Sequence, residues 1–447
     1  MMTGGRKSIQ VVTLGCSKND VDTRHLLAQV QDSLEIVPQG EDRYVDWLLV
    51  NTCGFIGDAK EESVQAILAA AARKKEGGAG KLIVFGCLSQ RYPSELPGLI
   101  PEVDAWYGAR DLGPVVKALG VEPPSGFTQL RKAPGSPVES YAYLKISEGC
   151  DRRCSYCAIP FIRGAHRSVP MEMLEEEARA LASQGVRELV LIAQDTTYYG
   201  LDIYRRRALA ELLKRLSSID GIEWIRIHYS YPADFPDDVL REMAENPKVC
   251  KYLDIPLQHI SDRVLDMMHR HVDGEWTRNL IKRLRDEVPG VVLRTTMIVG
   301  HPGEGPREFR ELLDFVAEAR FERLGAFKYS EEEGTFGARN YKDSVSPATK
   351  TRRLNRLMEV QGGISEAFNR SRVGTVEKVL VDDCAGDSLV CRSQWESPEV
   401  DGEIIVPFDR SFFRDADPAS LRGRFIEVKI TGADVYDLTA VPLKILE

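Results

Sequence analysis

The sequence predicts an α/β protein of three parts: an amino-terminal parallel α/β sheet domain, a central partial (β/α)6 barrel and a small carboxyl-terminal all-β barrel. Two observations predict this class. Apolar runs alternate with helical stretches through the first two parts, which is typical of parallel sheets covered by helices. From about Val373 short alternating runs separated by Gly, Asp and Ser replace that pattern, as in small β-barrels.

In the first part of the chain, three apolar runs each end in a cysteine. IQVVTLGC, VDWLLVNTC and KLIVFGC are predicted as buried strands, and VDTRHLLAQVQ and AKEESVQAILAAAARKK between them have helical spacing. This order predicts a parallel sheet domain over residues 1–120. Residues 121–140 carry four prolines and two glycines among polar residues, so they are predicted to form a linker.

Residues 141–372 repeat the strand–helix alternation six times, with helical stretches such as MEMLEEEARALASQ and REFRELLDFVAEAR between the apolar runs. Six such units predict a partial, open barrel, and in such folds the chemistry lies at the carboxyl ends of the strands. The predicted strands are 142–149, 188–195, 225–232, 252–258, 293–300 and 323–330.

The last part, residues 373–447, contains the runs TVEKVLVDD, GEIIVPF and GRFIEVKITGAD that predict the small barrel. It carries eight Lys and Arg against 15 Asp and Glu. Such a module would repel a phosphate backbone and attract a basic protein. The alternative is a solvated acidic surface that only keeps the protein soluble.

Composition and charge limit the class of protein. The chain has 447 residues, of which 43% are hydrophobic and 28% charged, as in soluble globular proteins. A net charge of −9 argues against a protein coated with nucleic acid. Because no apolar run approaches the roughly 20 residues of a membrane span and MMTGGRKSIQ lacks an apolar signal region, we expect a cytoplasmic protein without a membrane partner.

The segment SEGCDRRCSYCAIPFIRG has the spacing CxxxCxxC at Cys150, Cys154 and Cys157. Three thiolates on one loop after a strand can ligate three irons of a cubane cluster. The fourth iron then keeps an open coordination position, which a reactive centre needs. The alternative is a zinc site, although zinc sites more often use paired CxxC units and a fourth ligand.

A second set of cysteines, Cys16, Cys53 and Cys87, lies at the ends of the three amino-terminal strands. Parallel strands would bring them to the same edge of the sheet, where open α/β sheets bind ligands. They could therefore hold a second cluster with its own open iron, the alternative being three separate buried cysteines. Cys250, Cys384 and Cys391 follow no such pattern and are expected to be structural.

The CxxxCxxC loop resembles that of the radical S-adenosylmethionine superfamily. The whole chain, with its three dispersed amino-terminal cysteines and terminal β-barrel, resembles the methylthiotransferase family, in which the last barrel is an OB-like TRAM domain. The resemblance implies two [4Fe-4S] clusters and S-adenosylmethionine as cofactors. One cofactor molecule would methylate a sulfur on the amino-terminal cluster, and another would yield the 5′-deoxyadenosyl radical that removes hydrogen from the substrate.

The resemblance also implies residues that contact the cofactor. Tyr156, just before the third cysteine of the loop, would lie near the adenine. Further contacts would come from residues at or near the ends of predicted barrel strands, each of which has a turn or satisfied polar residue as its alternative. They are Gln194, Asp195, Gln258, Arg294 and Gly300.

Several segments resemble the family branch that modifies the β-carbon of an aspartate in small-subunit ribosomal protein twelve, uS12. They are LGCSKNDVD, NTCGFI, YLKISEGC, LIAQDTTYYG, YLDIPLQH and FKYSEEEG. The other branch modifies an adenosine of tRNA and usually has Asn in place of Asp195. Ser17, where Pro is frequent, and His301 in HPGE, where FPGE is commoner, depart from the pattern without touching a proposed ligand.

The implied partners are uS12 as substrate and a reductant protein of the flavodoxin or ferredoxin type, with tRNA disfavoured. Two alternatives stay open, methylthiolation of tRNA and a non-enzymatic iron–sulfur or RNA-binding protein. The CxxxCxxC loop on a six-unit barrel counts against the second of these.

Replacing one cysteine of the loop tests the radical chemistry. Cys154→Ala should lose reductive cleavage of S-adenosylmethionine, because two thiolates cannot hold the cubane with its open iron. Release of 5′-deoxyadenosine under anaerobic, reducing conditions measures the reaction. Amounts equal to those of the unmodified chain would refute the assignment of this loop.

Overall fold

The computed structural model describes residues 6–124, 126–131, 138–413 and 417–446, which form two compact units. The first unit draws on 1–134, 148–167 and 332–335, and the second on 135–147, 168–331 and 336–447. No helix in the described part of the chain is long and apolar enough to cross a bilayer.

The predicted division into 1–120, 121–140, 141–372 and 373–447 stays a prediction. Within the predicted linker, residues 125 and 132–137 lie outside the described residues. The described remainder of that segment contains no helix or strand.

The first unit is built on a five-stranded sheet of order β2-β1-β3-β4-β5 in which every pair is parallel. The three predicted strands are confirmed as β1, β3 and β4, and apolar side chains of the sheet pack into a core on each of its faces. The two-residue strands β2 and β5 were not predicted, because they are too short to show a period. The elements are β1 (Ser8–Thr13), α1 (Ser17–Val30), β2 (Glu35–Ile36), β3 (Val45–Thr52), α2 (Gly57–Lys75), β4 (Ala79–Gly86), α3 (Cys87–Arg91), α4 (Leu96–Leu99), β5 (Ala105–Trp106) and α5 (Gly113–Ala118).

The six predicted barrel strands are confirmed as one open, parallel sheet of order β13-β12-β11-β10-β9-β6. Helices cover the outer face of this sheet and bury a single large apolar core against it. A 3-10 helix, Thr196–Tyr198, follows β9. The elements are β6 (Tyr141–Lys145), β7 (Ser147–Glu148), α6 (Ile159–Ile162), β8 (Arg167–Ser168), α7 (Met171–Ser183), β9 (Glu188–Ile192), α8 (Leu209–Ser217), β10 (Trp224–Ile227), α9 (Asp237–Glu245), β11 (Val249–Asp254), α10 (Asp262–Met267), α11 (Gly274–Glu287), β12 (Val292–Val299), α12 (Pro306–Ala319), β13 (Arg323–Lys328), α13 (Phe336–Asn340) and α14 (Pro347–Arg372).

The carboxyl-terminal part is a closed five-stranded barrel of order β14-β15-β16-β18-β17, as the alternating runs predicted. A 3-10 helix, Pro418–Leu421, precedes β17, and the inward-facing residues of all five strands form one apolar core. The strands are β14 (Val376–Ala385), β15 (Ser388–Arg392), β16 (Ile404–Pro407), β17 (Phe425–Ala433) and β18 (Leu438–Ile445).

Within the second unit, the small barrel is joined to the (β/α)6 sheet by buried ion pairs. Glu396, in the loop after β15, accepts hydrogen bonds from Arg372 and, at 2.9 Å, from Arg323 on β13. Glu188, the first residue of β9, accepts from Arg226 at 2.6 Å and from Arg392 at 2.8 Å. All six side chains are buried, so the small barrel packs against the central sheet through interior ion pairs.

The two arginine partners of Glu396 stabilise its ionised form. Burial alone would raise the pKa of this carboxyl group, but Arg372 and Arg323 outweigh burial and hold its pKa far below the ordinary value. A carboxylate whose folded-state pKa is depressed adds stability above its unfolded pKa and loses that contribution as the pH falls.

Glu396→Gln should lower the free energy of unfolding of this unit by about 3–5 kcal/mol at neutral pH, because it leaves the buried Arg323 without its carboxylate partner and Arg372 with only Glu377. The deficit relative to the unmodified chain should shrink below about pH 4.3, where the unfolded chain takes up a proton on this group. Thermal and denaturant unfolding, followed at several pH values, measure both effects.

The matched control is Glu359→Gln on α14, where the carboxylate pairs with Arg356 and both side chains are more than half exposed. That change should cost no more than about 1 kcal/mol. Equal losses from the two variants would show that the buried network contributes nothing beyond a surface pair.

Candidate functional site

The first unit brings the three amino-terminal cysteines to one edge of its sheet. Cys53 directly follows β3 and Cys87 directly follows β4, while Cys16 precedes α1 in the loop after β1. β1, β3 and β4 are parallel neighbours, so these carboxyl ends are adjacent. Cys53 and Cys87 are buried and Cys16 is exposed. The thiols lie near enough for Cys16 and Cys53 each to act electrostatically on Cys87.

Two glycines beside these cysteines allow the loops to approach each other closely. A Cβ on Gly15, whose φ is +95°, would lie 2.7 Å from the Cβ of Cys53. A Cβ on Gly54 would lie 2.8 Å from the backbone of Leu88, next to Cys87. No other residue type fits at such distances without a shift of the backbone, so the close packing of the three loops depends on glycine here.

Asn19, on the first turn of α1, ties the same loops together through its amide. Its Nδ2 donates to the carbonyl oxygen of Leu14 at 2.7 Å and to that of Thr52 at 3.1 Å. These carbonyls lie just before Cys16 and Cys53, and Asn19 is fully buried. One amide therefore fixes the spacing of two cysteine loops.

The loop with Cys150, Cys154 and Cys157 belongs to the same compact unit. The N–H of Cys150 donates to the carbonyl of Gly164 at 3.0 Å, and the N–H of Cys157 donates to that of Cys154 at 3.1 Å. The three thiols and Tyr156, which lies in the turn before Cys157, are half-buried. The loop thus closes on itself and holds its cysteines short of full burial.

Arg163, which sequence reasoning missed, is the most connected buried cation of this unit's site. It lies after α6, six residues past Cys157, and only 2% of it is exposed. Nε donates to the sulfur of Cys87 at 3.3 Å and Nη2 donates to Asn19 Oδ1 at 2.6 Å. Nη1 donates to Asp22 at 2.6 Å and to Glu148 at 3.2 Å. No local signal marks it, because its nearest charged partner in sequence is Glu148.

Burial controls the ionisation of the two buried thiols. Desolvation raises the pKa of Cys87 to about 12, and the Arg163 guanidinium opposes that shift. Desolvation also raises the pKa of Cys53, while the backbone N–H of Phe55 opposes it. Because a cluster binds thiolates, its assembly here must displace protons and supply positive charge to the buried sulfurs.

The donor set at the two cysteine groups consists of soft thiolates, which suit an iron–sulfur cluster. Across the residues that the structure describes, no three His, Cys, Asp or Glu side chains lie close enough to share one metal ion. A cubane spreads its ligand sulfurs over separate irons, so it needs cysteines that converge without touching. The soft thiolate set, the close-packed loops and the cation on Cys87 together suit such a cluster.

In the second unit, Gln194 and Asp195 were predicted to end the strand over 188–195, but β9 ends at Ile192 and both residues lie in the segment that follows it. Gln194 is half-buried, two residues past the strand. Asp195 is buried, and its Oδ1 accepts from the backbone N–H of Thr197 at 2.9 Å and from its hydroxyl at 2.7 Å. This carboxylate therefore caps the 3-10 helix, and its contact with the cofactor stays a prediction.

Gln258 has a φ of +74°, which is unusual for a residue other than glycine. It follows β11, and its backbone is held there because its N–H donates to Thr296 and its carbonyl accepts from Ile298. A backbone kept in this region costs about 1–3 kcal/mol, and such strain clusters at functional sites. Its role as a cofactor contact remains a prediction.

Gly300 directly follows β12, and its N–H donates to Glu304 Oε2 at 2.9 Å. Glu304 also accepts from Arg353 at 2.6 Å, so the HPGE turn is held by buried charge. Arg294 lies at the amino end of β12 rather than its carboxyl end, and it donates to Asp254 at 2.9 Å. Cofactor binding by Gly300 and Arg294 likewise stays a prediction.

The other three cysteines lie outside these groupings. Cys250 is buried on β11, Cys391 is buried on β15, and Cys384 is half-buried on β14. No cluster of metal ligands forms around them in the described part of the chain. The expectation that they are structural stays a prediction.

Three family descriptions match successive parts of the chain. The radical SAM superfamily matches residues 144–316, the uncharacterized protein family UPF0004 matches 8–108, and the TRAM domain matches 373–443. The radical SAM match contains Cys150, Cys154 and Cys157, and the UPF0004 match contains Cys16, Cys53 and Cys87.

Curated relatives match over nearly the whole length. The ribosomal protein uS12 methylthiotransferase RimO of Bacteroides thetaiotaomicron is 48% identical, over 97% of this chain and 98% of its own. That of Porphyromonas gingivalis is 49% identical, over 97% and 99%. Among solved structures, the radical S-adenosylmethionine methyltransferase TsrM from Kitasatospora setae covers 93% of this chain and 82% of its own, with a TM-score of 0.53 and 14% identity. At that identity the likeness concerns the fold alone.

Replacing one amino-terminal cysteine tests the contribution of that cysteine set independently of the CxxxCxxC set. Cys53→Ala should lower the iron content by about half, because each set of three thiolates holds its own cluster. Cleavage of S-adenosylmethionine should persist while methylthiolated product disappears. Iron analysis, 5′-deoxyadenosine release and product mass, measured on one anaerobic preparation, check all three.

Cys250→Ala is the matched control, since it removes a buried thiol outside both sets. It should leave iron and product unchanged. If Cys53→Ala behaved in the same way, the second cluster would not exist.

Proposed function

The chain belongs to the RimO family of ribosomal protein uS12 methylthiotransferases, and on that premise we propose that it adds a methylthio group to the β-carbon of an aspartate in uS12 with two [4Fe-4S] clusters. The enzyme is a radical SAM transferase and uses an iron–sulfur cluster and S-adenosylmethionine. The observation that carries the two-cluster proposal is that Cys16, Cys53 and Cys87 share one sheet edge, in the same compact unit as the CxxxCxxC loop.

In this proposal each cysteine set holds three irons of one cluster. Cys150, Cys154 and Cys157 hold the cluster that cleaves the cofactor, and Cys16, Cys53 and Cys87 hold the one that carries the sulfur to be transferred. When bound, these groups supply an electron to the sulfonium, a hydrogen-abstracting radical and a methylated sulfur. A radical is required because an unactivated C–H is too weakly acidic for a general base.

The protein's own side chains shield the cysteine sulfurs from water and position the loops that carry them. Burial of Cys53 and Cys87 keeps water from their sulfurs, and Asn19 fixes the loops that carry Cys16 and Cys53. Exclusion of water protects radical and sulfur chemistry from side reactions. The thiols of the CxxxCxxC loop are only half-buried, which is compatible with a ligand at an open iron.

The cofactor contacts follow the family resemblance. Tyr156 would contact the adenine, and Gln194, Asp195, Gln258, Arg294 and Gly300 would contribute from the barrel. The strained backbone of Gln258 and the fixed HPGE turn support Gln258 and Gly300 most directly. The capping bonds of Asp195 and the ion pair of Arg294 assign those two side chains a structural duty as well.

The surface of the terminal barrel supports a protein substrate over RNA. Several of its acidic residues, such as Glu377 and Glu396, form buried ion pairs with arginines. The number of acidic residues in the sequence therefore overstates the negative charge at the surface. Even so, eight Asp and Glu are exposed against five Lys and Arg among the described residues of 373–447. An acidic face favours encounter with a basic ribosomal protein and disfavours a phosphate backbone.

The electron would come from a reductant protein of the flavodoxin or ferredoxin type. The reaction would take place in the cytoplasm, where ribosomal proteins are available and thiols stay reduced. tRNA is not a substrate in this proposal.

A side-by-side anaerobic reaction tests the substrate. The reconstituted enzyme, reductant and S-adenosylmethionine are incubated with uS12 or with tRNA, and product is read by mass. We expect a methylthio gain on one aspartate of uS12 and none on tRNA, because the acidic terminal barrel opposes RNA binding. A gain on tRNA alone would overturn the choice of substrate and leave the radical chemistry intact.

The control reaction uses Cys53→Ala with the same two substrates. It should cleave the cofactor without modifying either of them. This separates enzymatic methylthiolation from chemical background.

A further inference from the structure

One buried side chain of the first unit bonds a cysteine of the amino-terminal set and a residue close to the CxxxCxxC set. Arg163 lies in the chain segment that follows Cys157, and it reaches the sulfur of Cys87. It also pairs with Glu148, two residues before Cys150. A buried arginine with these partners is more than a packing element, because it bonds one proposed cluster ligand, Cys87, and pairs with a residue close to another.

The contacts of Arg163 extend to all three amino-terminal cysteine loops. Its Nη2 donates to the same Asn19 whose amide holds the carbonyls of Leu14 and Thr52, beside Cys16 and Cys53. Its Nε donates to Cys87 directly. The planar guanidinium can make these bonds at once because its donors point in fixed directions.

Arg163 is the one positive charge that these partners share, since it pairs with two carboxylates and also bonds the sulfur of Cys87. Two carboxylates, Asp22 and Glu148, lie within 3.2 Å of its nitrogens, and all of these groups are largely shielded from solvent. A cation that donates an N–H to a cluster sulfur stabilises the more negative, reduced cluster over the oxidised one. The low local dielectric strengthens this effect.

We propose that Arg163 is a positioning residue that sets the reduction potential of the cluster held by Cys16, Cys53 and Cys87. It does so through its N–H bond to the Cys87 sulfur, while its salt bridges to Asp22 and Glu148 hold the guanidinium in place. The inference rests on the proposed second cluster and adds to it a specific electronic role for one side chain.

The test measures the potential of that cluster alone. In a parent chain with Cys150, Cys154 and Cys157 all replaced by alanine, any cluster signal must come from the amino-terminal set. Anaerobic redox titration followed by electron paramagnetic resonance then gives its midpoint potential. Arg163→Gln should shift this potential to a more negative value, because both the positive charge and the bond to sulfur are lost.

A conservative variant separates charge from geometry. Arg163→Lys keeps the positive charge but cannot bond Cys87, Asn19 and both carboxylates together, so its potential should lie between those of the parent and Arg163→Gln. Arg110→Gln is the matched control. Arg110 donates to the carbonyls of Phe161 and Ile162 in the same segment but bonds no cysteine, so its removal should leave the potential unchanged.

The outcomes distinguish the inference from the function on which it rests. Absence of any cluster signal in the parent would overturn the second cluster and the role of Arg163 with it. If the parent shows a cluster signal and neither Arg163→Lys nor Arg163→Gln changes its midpoint potential, the role of Arg163 alone is overturned. Loss of cluster iron from both variants would also overturn it, since Arg163 would then only hold the fold.

Discussion

Every strand pair of the amino-terminal sheet is parallel, and the candidate site depends on this constraint. Parallel strands present their carboxyl ends on one edge, so cysteines that end β1, β3 and β4 meet although they are far apart in sequence. An antiparallel β3 would carry Cys53 to the opposite edge. Glycines at positions 15 and 54 then let the loops approach, and Asn19 and Arg163 fix them there.

Buried charge is used in both units, with different consequences. In the second unit, arginines and glutamates such as Arg372 and Glu396 satisfy each other across the small barrel and the central sheet. Such a pair fixes how two elements pack, although desolvation offsets much of its attraction. In the first unit, Arg163 has a thiol among its partners, and that contact gives the same kind of buried cation a role in chemistry.

The sequence was sufficient to predict what local patterns encode. Apolar runs that end in Cys16, Cys53 and Cys87 gave the strands and their shared edge, and the CxxxCxxC spacing gave the loop. Arg163 could not be predicted, because Asp22 is 141 residues away and lies on a helix whose sequence looks solvent-exposed. The pairing of Arg294 with Asp254 likewise depends on strand register, which composition does not reveal.

The central claim is that both cysteine sets of one chain hold a [4Fe-4S] cluster. Mössbauer spectroscopy with iron and sulfide analysis of the anaerobically reconstituted, unmodified chain tests it most directly. The account predicts about eight irons per chain, all in cubane clusters. About four irons per chain, in a single cluster, would contradict it.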